Sequence, residues 1–219
     1  MNYSVKVDNN SGAVQTVAVF MTDPAGGGYS LVWSVKKIPS TGSATFCWDD
    51  GAFGLGWGTS AKPVDYGLQY DSGQAPVAVD PFAIQGDNTL PIGYDDGFVV
   101  GQPYCDTALK NSVNIVTDRS FTVGTAALMS VALYLNGAPA LAMRGAPNTV
   151  YTVDLDQIVY YLTVTNAAAG VALRPPASPR LLRAAVSASV PVRIPFGPGA
   201  TQLRYTLDAT LGFRPAPPA

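Results

Sequence analysis

The chain has 219 residues, with 13 Lys and Arg against 15 acids and no histidine. Every acid is Asp, so glutamate is missing as well. Without His there is no Ser-His-Asp or Cys-His catalysis and no imidazole metal ligand; without Glu there is no EF-hand and no Glu general acid.

The apolar residues recur with a period of two, the signature of strands. In chain order, Tyr3, Val5 and Val7 alternate with Asn2, Ser4, Lys6 and Asp8, and the turn-like Asn9-Asn10-Ser11-Gly12 follows. Then come Val17/Val19/Met21, Leu31/Trp33/Val35, Ala44/Phe46/Trp48 and Phe53/Leu55/Trp57. Further strand-like runs cover 77–84, 97–101, 112–116, 119–123, 127–135, 138–143, 149–153 and 158–165. Clusters such as Asp23-Pro24-Ala25-Gly26-Gly27-Gly28 and Asp49-Asp50-Gly51 separate them, and Asn136-Gly137 is a strong hairpin signal because both residues tolerate positive φ. No amphipathic helix stands out. Many short strands at this spacing predict an all-β fold, a β-sandwich of jelly-roll type.

Composition changes near Asn166. Residues 167–180 are rich in Ala and Pro and read as a linker between a body, 1–166, and a C-terminal extension, 181–219. Two alternating runs follow. Val186, Val190, Val192 and Ile194 share one face of the first; Leu203, Tyr205, Leu207, Leu211 and Phe213 share one face of the second. With Pro195-Phe196-Gly197-Pro198-Gly199 between them they predict an amphipathic β-hairpin that must lay its apolar face on a sheet, its own or a neighbour's. Charge divides at the same place. Residues 1–166 hold seven cations against 14 Asp, a net −7, and residues 167–219 hold six Arg against one Asp, a net +5. An acidic body joined to a basic tail points to a partner or to self-complementarity.

Several ordered motifs carry a family resemblance. They are Tyr3-Ser4-Val5-Lys6-Val7 leading into Asn9-Asn10-Ser11, Val17-Ala18-Val19-Phe20 with Asp23-Pro24, Ser30-Leu31-Val32-Trp33, Thr45-Phe46-Cys47-Trp48 and Phe53-Gly54-Leu55-Gly56-Trp57-Gly58. A hairpin-like segment, 128–147, completes the set. In these features the first ~165 residues resemble the rhizosphere-expressed protein family of rhizobia and their relatives. The resemblance implies a β-rich protein with no catalytic signature; the tail from about 167 lies outside it.

Candidate chemistry is sparse. Asp49-Asp50-Gly51 and Asp95-Asp96-Gly97 are turn chemistry first, with calcium ligation or a paired-carboxylate role as alternatives. Trp33, Trp48 and Trp57 lie in apolar alternation, which suits a core; exposed, they would stack on a sugar. The Gly54/Gly56/Gly58 face of the Phe53–Gly58 run is bare backbone that another chain or a ligand can approach closely. Cys47 and Cys105 read as small buried hydrophobes or as one disulfide. No G-x-S-x-G elbow, S-x-x-K motif or phosphate loop is present.

Met1–Lys6 lacks the apolar run of a secretory leader, and no stretch reaches ~18 apolar residues. Cytoplasmic residence, or export by a route without such a leader, is the expectation, with no membrane span. Low charge and a mean hydropathy of +0.17 join the charge asymmetry and the hairpin. The expected function is therefore a non-enzymatic structural protein, without cofactor, that assembles with copies of itself into a ring or filament through the C-terminal hairpin. The alternative is a carbohydrate- or surface-binding sandwich. Nucleic acid is not an expected partner, because a net charge of −2 has the wrong sign.

Overall fold

The structure is a computed structural model that describes residues 1–24, 27–173, 189–196 and 199–217. Six strands come first: β1 (Asn2–Asn9), β2 (Gln15–Thr22), β3 (Tyr29–Leu31), β4 (Ser34–Ile38), β5 (Ser43–Asp49) and β6 (Phe53–Thr59). The middle of the chain adds β7 (Asp71–Ser72), β8 (Val77–Val79), β9 (Thr89–Tyr94), β10 (Phe98–Val100), β11 (Ser112–Thr117), β12 (Met129–Leu135) and β13 (Ala138–Arg144). The last are β14 (Val150–Asp154), β15 (Val159–Val164), β16 (Ala172–Leu173), β17 (Val192–Arg193), β18 (Gln202–Leu207) and β19 (Phe213–Ala216). Among the described residues the sole helical element is one 3-10 turn, Leu155–Gln157. The all-β expectation holds.

The described residues form four sheets, with strand orders β19-β18-β1-β5, β17-β15-β2-β4, β10-β9-β11-β14 and β16-β3-β13-β12-β6-β7, with β8 also on β6. Val5 and Val7 of β1, Val17 and Val19 of β2, Ile115 of β11, and Leu133 of β12 are all buried in one core cluster. The sheets therefore pack face to face, as in a β-sandwich. β12 is buried on both faces. Its second face meets Leu31, Val64 and Tyr70 in a satellite cluster, which is why its sequence is a continuous apolar run and not an alternation.

Local chemistry explains the turns. Asn136 and Gly137, at φ 51° and 77°, close the β12–β13 hairpin. Asn9 is fully buried. Its amide nitrogen lies 2.8 Å from the Ala13 carbonyl and 2.9 Å from that of Ile38, and its side-chain oxygen accepts from the Ser11 hydroxyl at 2.7 Å. The Asn-rich first turn is thus a staple between β1 and the end of β4. The bare glycine face of β6 is filled by the same chain. A Cβ at Gly58 would lie 2.3 Å from the Asp71 carbonyl, and one at Gly54 would lie 3.0 Å from Pro76. Two runs fall short of prediction: 77–84 keeps strand pairing only at Val77–Val79, and 119–123 is turn and bend. Phe121 is buried all the same, so its apolar character serves the core from a loop.

Candidate functional site: the C-terminal segment and the cleft it closes

Among the described residues the two C-terminal runs do not pair with each other. β17 joins β15, with Leu162 opposite Val192 and Tyr161 opposite Arg193. β18 enters a different sheet, parallel to β1, in a register that runs from Ser4–Gln202 to Asn9–Leu207. The hairpin of this region is β18–β19, with Leu207 opposite Phe213. The physical reason is that each run has a single apolar face. By stepping from one sheet to another, the chain presents both faces to one core. The Tyr205 hydroxyl donates to the Arg193 carbonyl at 3.4 Å across that step.

Most of the residues expected at a subunit contact pack within the single chain. Ile194, Tyr205, Leu207 and Phe213 are buried in the chain's own core, and Val192, Leu203 and Leu211 pack against it half-buried. Val190 is exposed. Val186, residues 174–180 of the expected linker, and Gly197-Pro198 of the expected loop lie outside the described residues. Opposite charge is also met within the chain: Arg204 Nε donates to Asp8 Oδ2 at 2.6 Å on the outer side of the β1–β18 pair.

Trp33 and Trp48 are buried, edge to face with ring centroids 5.2 Å apart, and the Trp33 indole donates to the Leu135 carbonyl at 2.8 Å. Trp57 is half-buried, 5.2 Å from the Phe98 ring, and a Cβ at Gly73 would lie 2.4 Å from its own ring. Glycine there lets the backbone lie flat on the indole.

The Asp pairs occupy different turns, one between β5 and β6 and one between β9 and β10. Asp49 Oδ1 accepts from the Gly51 amide at 3.0 Å, the main reason its carboxyl is held below the ordinary range; the Met1 ammonium adds to it. Asp50 also meets that ammonium. Asp95 and Asp96 are exposed, with Asp96 at φ 52° and the Asp95 amide donating to the Gly97 carbonyl. Among the described residues no three acidic or thiol side chains come together as a metal site. Cys47 and Cys105 are both free, Cys47 exposed and Cys105 half-buried. Neither is the buried hydrophobe or the disulfide partner expected, because Cys47 points to the outer face of β5 while Phe46 and Trp48 point inward.

What the structure builds in place of those sites is an aromatic corner. Tyr3 of β1, Trp48 of β5, Tyr160 of β15 and Phe196 converge, with the Tyr3 and Phe196 rings 4.3 Å apart and Trp48 5.2 Å from Tyr160 and 5.5 Å from Phe196. Beside it opens a cleft of about 210 Å³ walled by Tyr3, Phe53, Phe82, Tyr160 and Phe196, with Asp50 and Arg193 supplying opposite charges. Burial pushes the Tyr160 phenol well above its ordinary range. The nearby Trp48 indole N–H, which finds no well-formed hydrogen bond, pulls the other way. Burial foremost, and then the Asp50 carboxylate, raises Tyr3. Periodicity marks none of these residues as a group. They are far apart in sequence, and Arg193 and Phe196 belong to the segment read as an appendage.

The RhiA family model matches residues 1–212. The match agrees with the resemblance drawn from the ordered aromatic motifs and extends it beyond residue 165, through β17 and β18. No curated protein and no solved structure matches the chain. No helix among the described residues is long and apolar enough to cross a membrane.

Proposed function

Because the chain belongs to the RhiA family, whose pattern runs to residue 212, we propose that its C-terminal segment is a functional part of the fold: a complementing strand through which a non-enzymatic structural protein assembles with copies of itself. The observation that supports this is β18, an inner strand lying parallel to β1 with Tyr205 and Leu207 in the core. A strand that completes a sheet by hydrogen bonds and apolar burial can complete a second copy's sheet through the same contacts, with only the connectivity changed. Within one chain the effective concentration is high, so exchange grows with protein concentration. Reciprocal exchange closes a dimer or ring, and one-way exchange continues into a filament. A chain without His or Glu offers little acid–base machinery, which supports a structural role.

Cross-linking tests the exchange. Ser4 and Gln202 are register partners on β1 and β18, close enough for a disulfide. Cys47 also faces Ser4 across β1–β5, so both native cysteines are replaced by Ser. One preparation then carries Ser4→Cys and another Gln202→Cys; they are mixed, concentrated and oxidised. A covalent dimer joining one of each, in excess over either like pair, is the expected product. Only monomer at every concentration would refute exchange.

A second reading is binding of a glycan or another surface ligand. The aromatic cleft favours it, since flat apolar walls beside opposed polar groups suit an amphipathic ligand.

A further inference from the structure

We propose that the cleft between Tyr3, Tyr160 and Phe196 takes a single neutral pyranose end-on. The inference rests on the glycan-binding reading and is independent of strand exchange.

Three features of the cleft point to this chemistry. First, the walls are largely aromatic, and the Asp50 carboxylate and the Arg193 guanidinium line the same opening. A carboxylate only accepts hydrogen bonds and a guanidinium only donates them. Hydroxyls, each of which donates and accepts, satisfy both without adding charge. Asp50 is already paired with the Met1 ammonium, so it can accept a further hydrogen bond without requiring a cationic ligand. Second, the lining joins apolar side chains to charged ones. Phe53 and Ile194 are the buried residues of the lining, while Phe82, Arg193 and Pro195 are exposed at its mouth. A pyranose has an apolar C–H face and a belt of hydroxyls, so it offers a partner to both kinds of lining residue. Third, the Tyr160 phenol lines the space and, protonated at neutral pH, has its O–H to give to a ligand oxygen, whereas the Tyr3 hydroxyl already meets Asp50. At about 210 Å³ the space is smaller than the 300–1,000 Å³ typical of drug-sized ligands, which selects one sugar ring over a longer oligosaccharide. A chain terminus entering end-on fits these limits; a polymer lying across the surface does not.

The test titrates the full chain with the methyl glycosides of glucose, galactose and mannose by saturation-transfer NMR, in parallel with a glycan array. Saturable binding of at least one glycoside is expected. Asp50→Asn and Arg193→Gln should each weaken it about tenfold or more, the loss of one charge-assisted hydrogen bond. Arg193 is exposed, so its variant should melt with the parent and any loss of binding will not be one of folding. Phe196→Ala should abolish binding. Array binding of long glycans with no glycoside binding, or binding that survives Arg193→Gln and Asp50→Asn, would overturn the end-on site while leaving glycan binding intact. Silence in both assays would remove both readings.

Discussion

Removing residues 189–219 asks whether the C-terminal segment is an appendage or a completing part. The deletion strips Ile194, Tyr205, Leu207 and Phe213 from the core cluster. At roughly 1.5–3 kcal/mol per fully buried side chain, these four account for about 6–12 kcal/mol. The six-residue β1–β18 ladder goes with them, leaving the β1 edge facing water. A domain is stable by only ~5–15 kcal/mol, so the shortened chain should not hold its native fold. The single substitution Leu207→Ala offers a graded version. Leu207 is fully buried, and such truncations cost about 2–5 kcal/mol, a drop in Tm of roughly 5–20 °C for a chain of this size. Circular dichroism with urea and thermal unfolding reads both. The expected outcome is a shortened chain without a cooperative transition, and a Leu207→Ala variant that melts early with an unchanged spectrum. A deletion variant with a native β spectrum and the parent's midpoint would refute the reasoning and return the segment to the status of a tail.

Other outcomes follow from particular contacts. Gly58→Ala should destabilise strongly and Gly54→Ala less, since a new Cβ meets the backbone carbonyl of Asp71 at 2.3 Å in the first case and the Pro76 ring at 3.0 Å in the second; thermal melts of the pair check the order. Tyr134→Phe removes the hydroxyl 2.8 Å from that of buried Tyr70, and the orphaned phenol should cost about 1–3 kcal/mol in urea unfolding. Tyr70 and Tyr160 titrate above their ordinary value of 10.0 in the folded chain, chiefly through burial. Their contribution is fully present below pH 10 and declines above it, where the unfolded chain ionises first; Tm against pH should fall in that window, less steeply for Tyr160→Phe. Calcium at about 5 mM should leave Tm unchanged, because Asp49 and Asp50 engage the Met1 ammonium and Asp95 and Asp96 sit in an exposed turn; a rise of several degrees would show binding to the folded state. A thiol reagent should label exposed Cys47 in the native protein faster than half-buried Cys105, with mass spectrometry locating the adduct.

The sequence by itself determined the strands, most turns and the apolar faces, because these depend on neighbours within a few residues. Alternation at Tyr3/Val5/Val7 and the Asn136-Gly137 turn are local physics, and both appear as read. So are the inward faces of Tyr205 and Leu207. What local pattern cannot encode is which surface an apolar face will meet. The run ending at Ile194 and the run from Leu203 look like two arms of one hairpin, since they are adjacent in sequence and equally one-sided. Only the tertiary structure shows that the first pairs with β15 and the second with β1, each filling a different side of the same core. Pairing 196 residues apart, as between Asp8 and Arg204, is decided by the total area buried, a non-local quantity. The same limit hid the cleft: Tyr3, Asp50, Tyr160 and Arg193 share no period and no motif, and they become neighbours only when three sheets and the step from β17 to Phe196 are in place. Burial of Trp33 and Trp48 was legible as apolar alternation, whereas the outward turn of Cys47 on the same β5 strand depended on which face the body left uncovered.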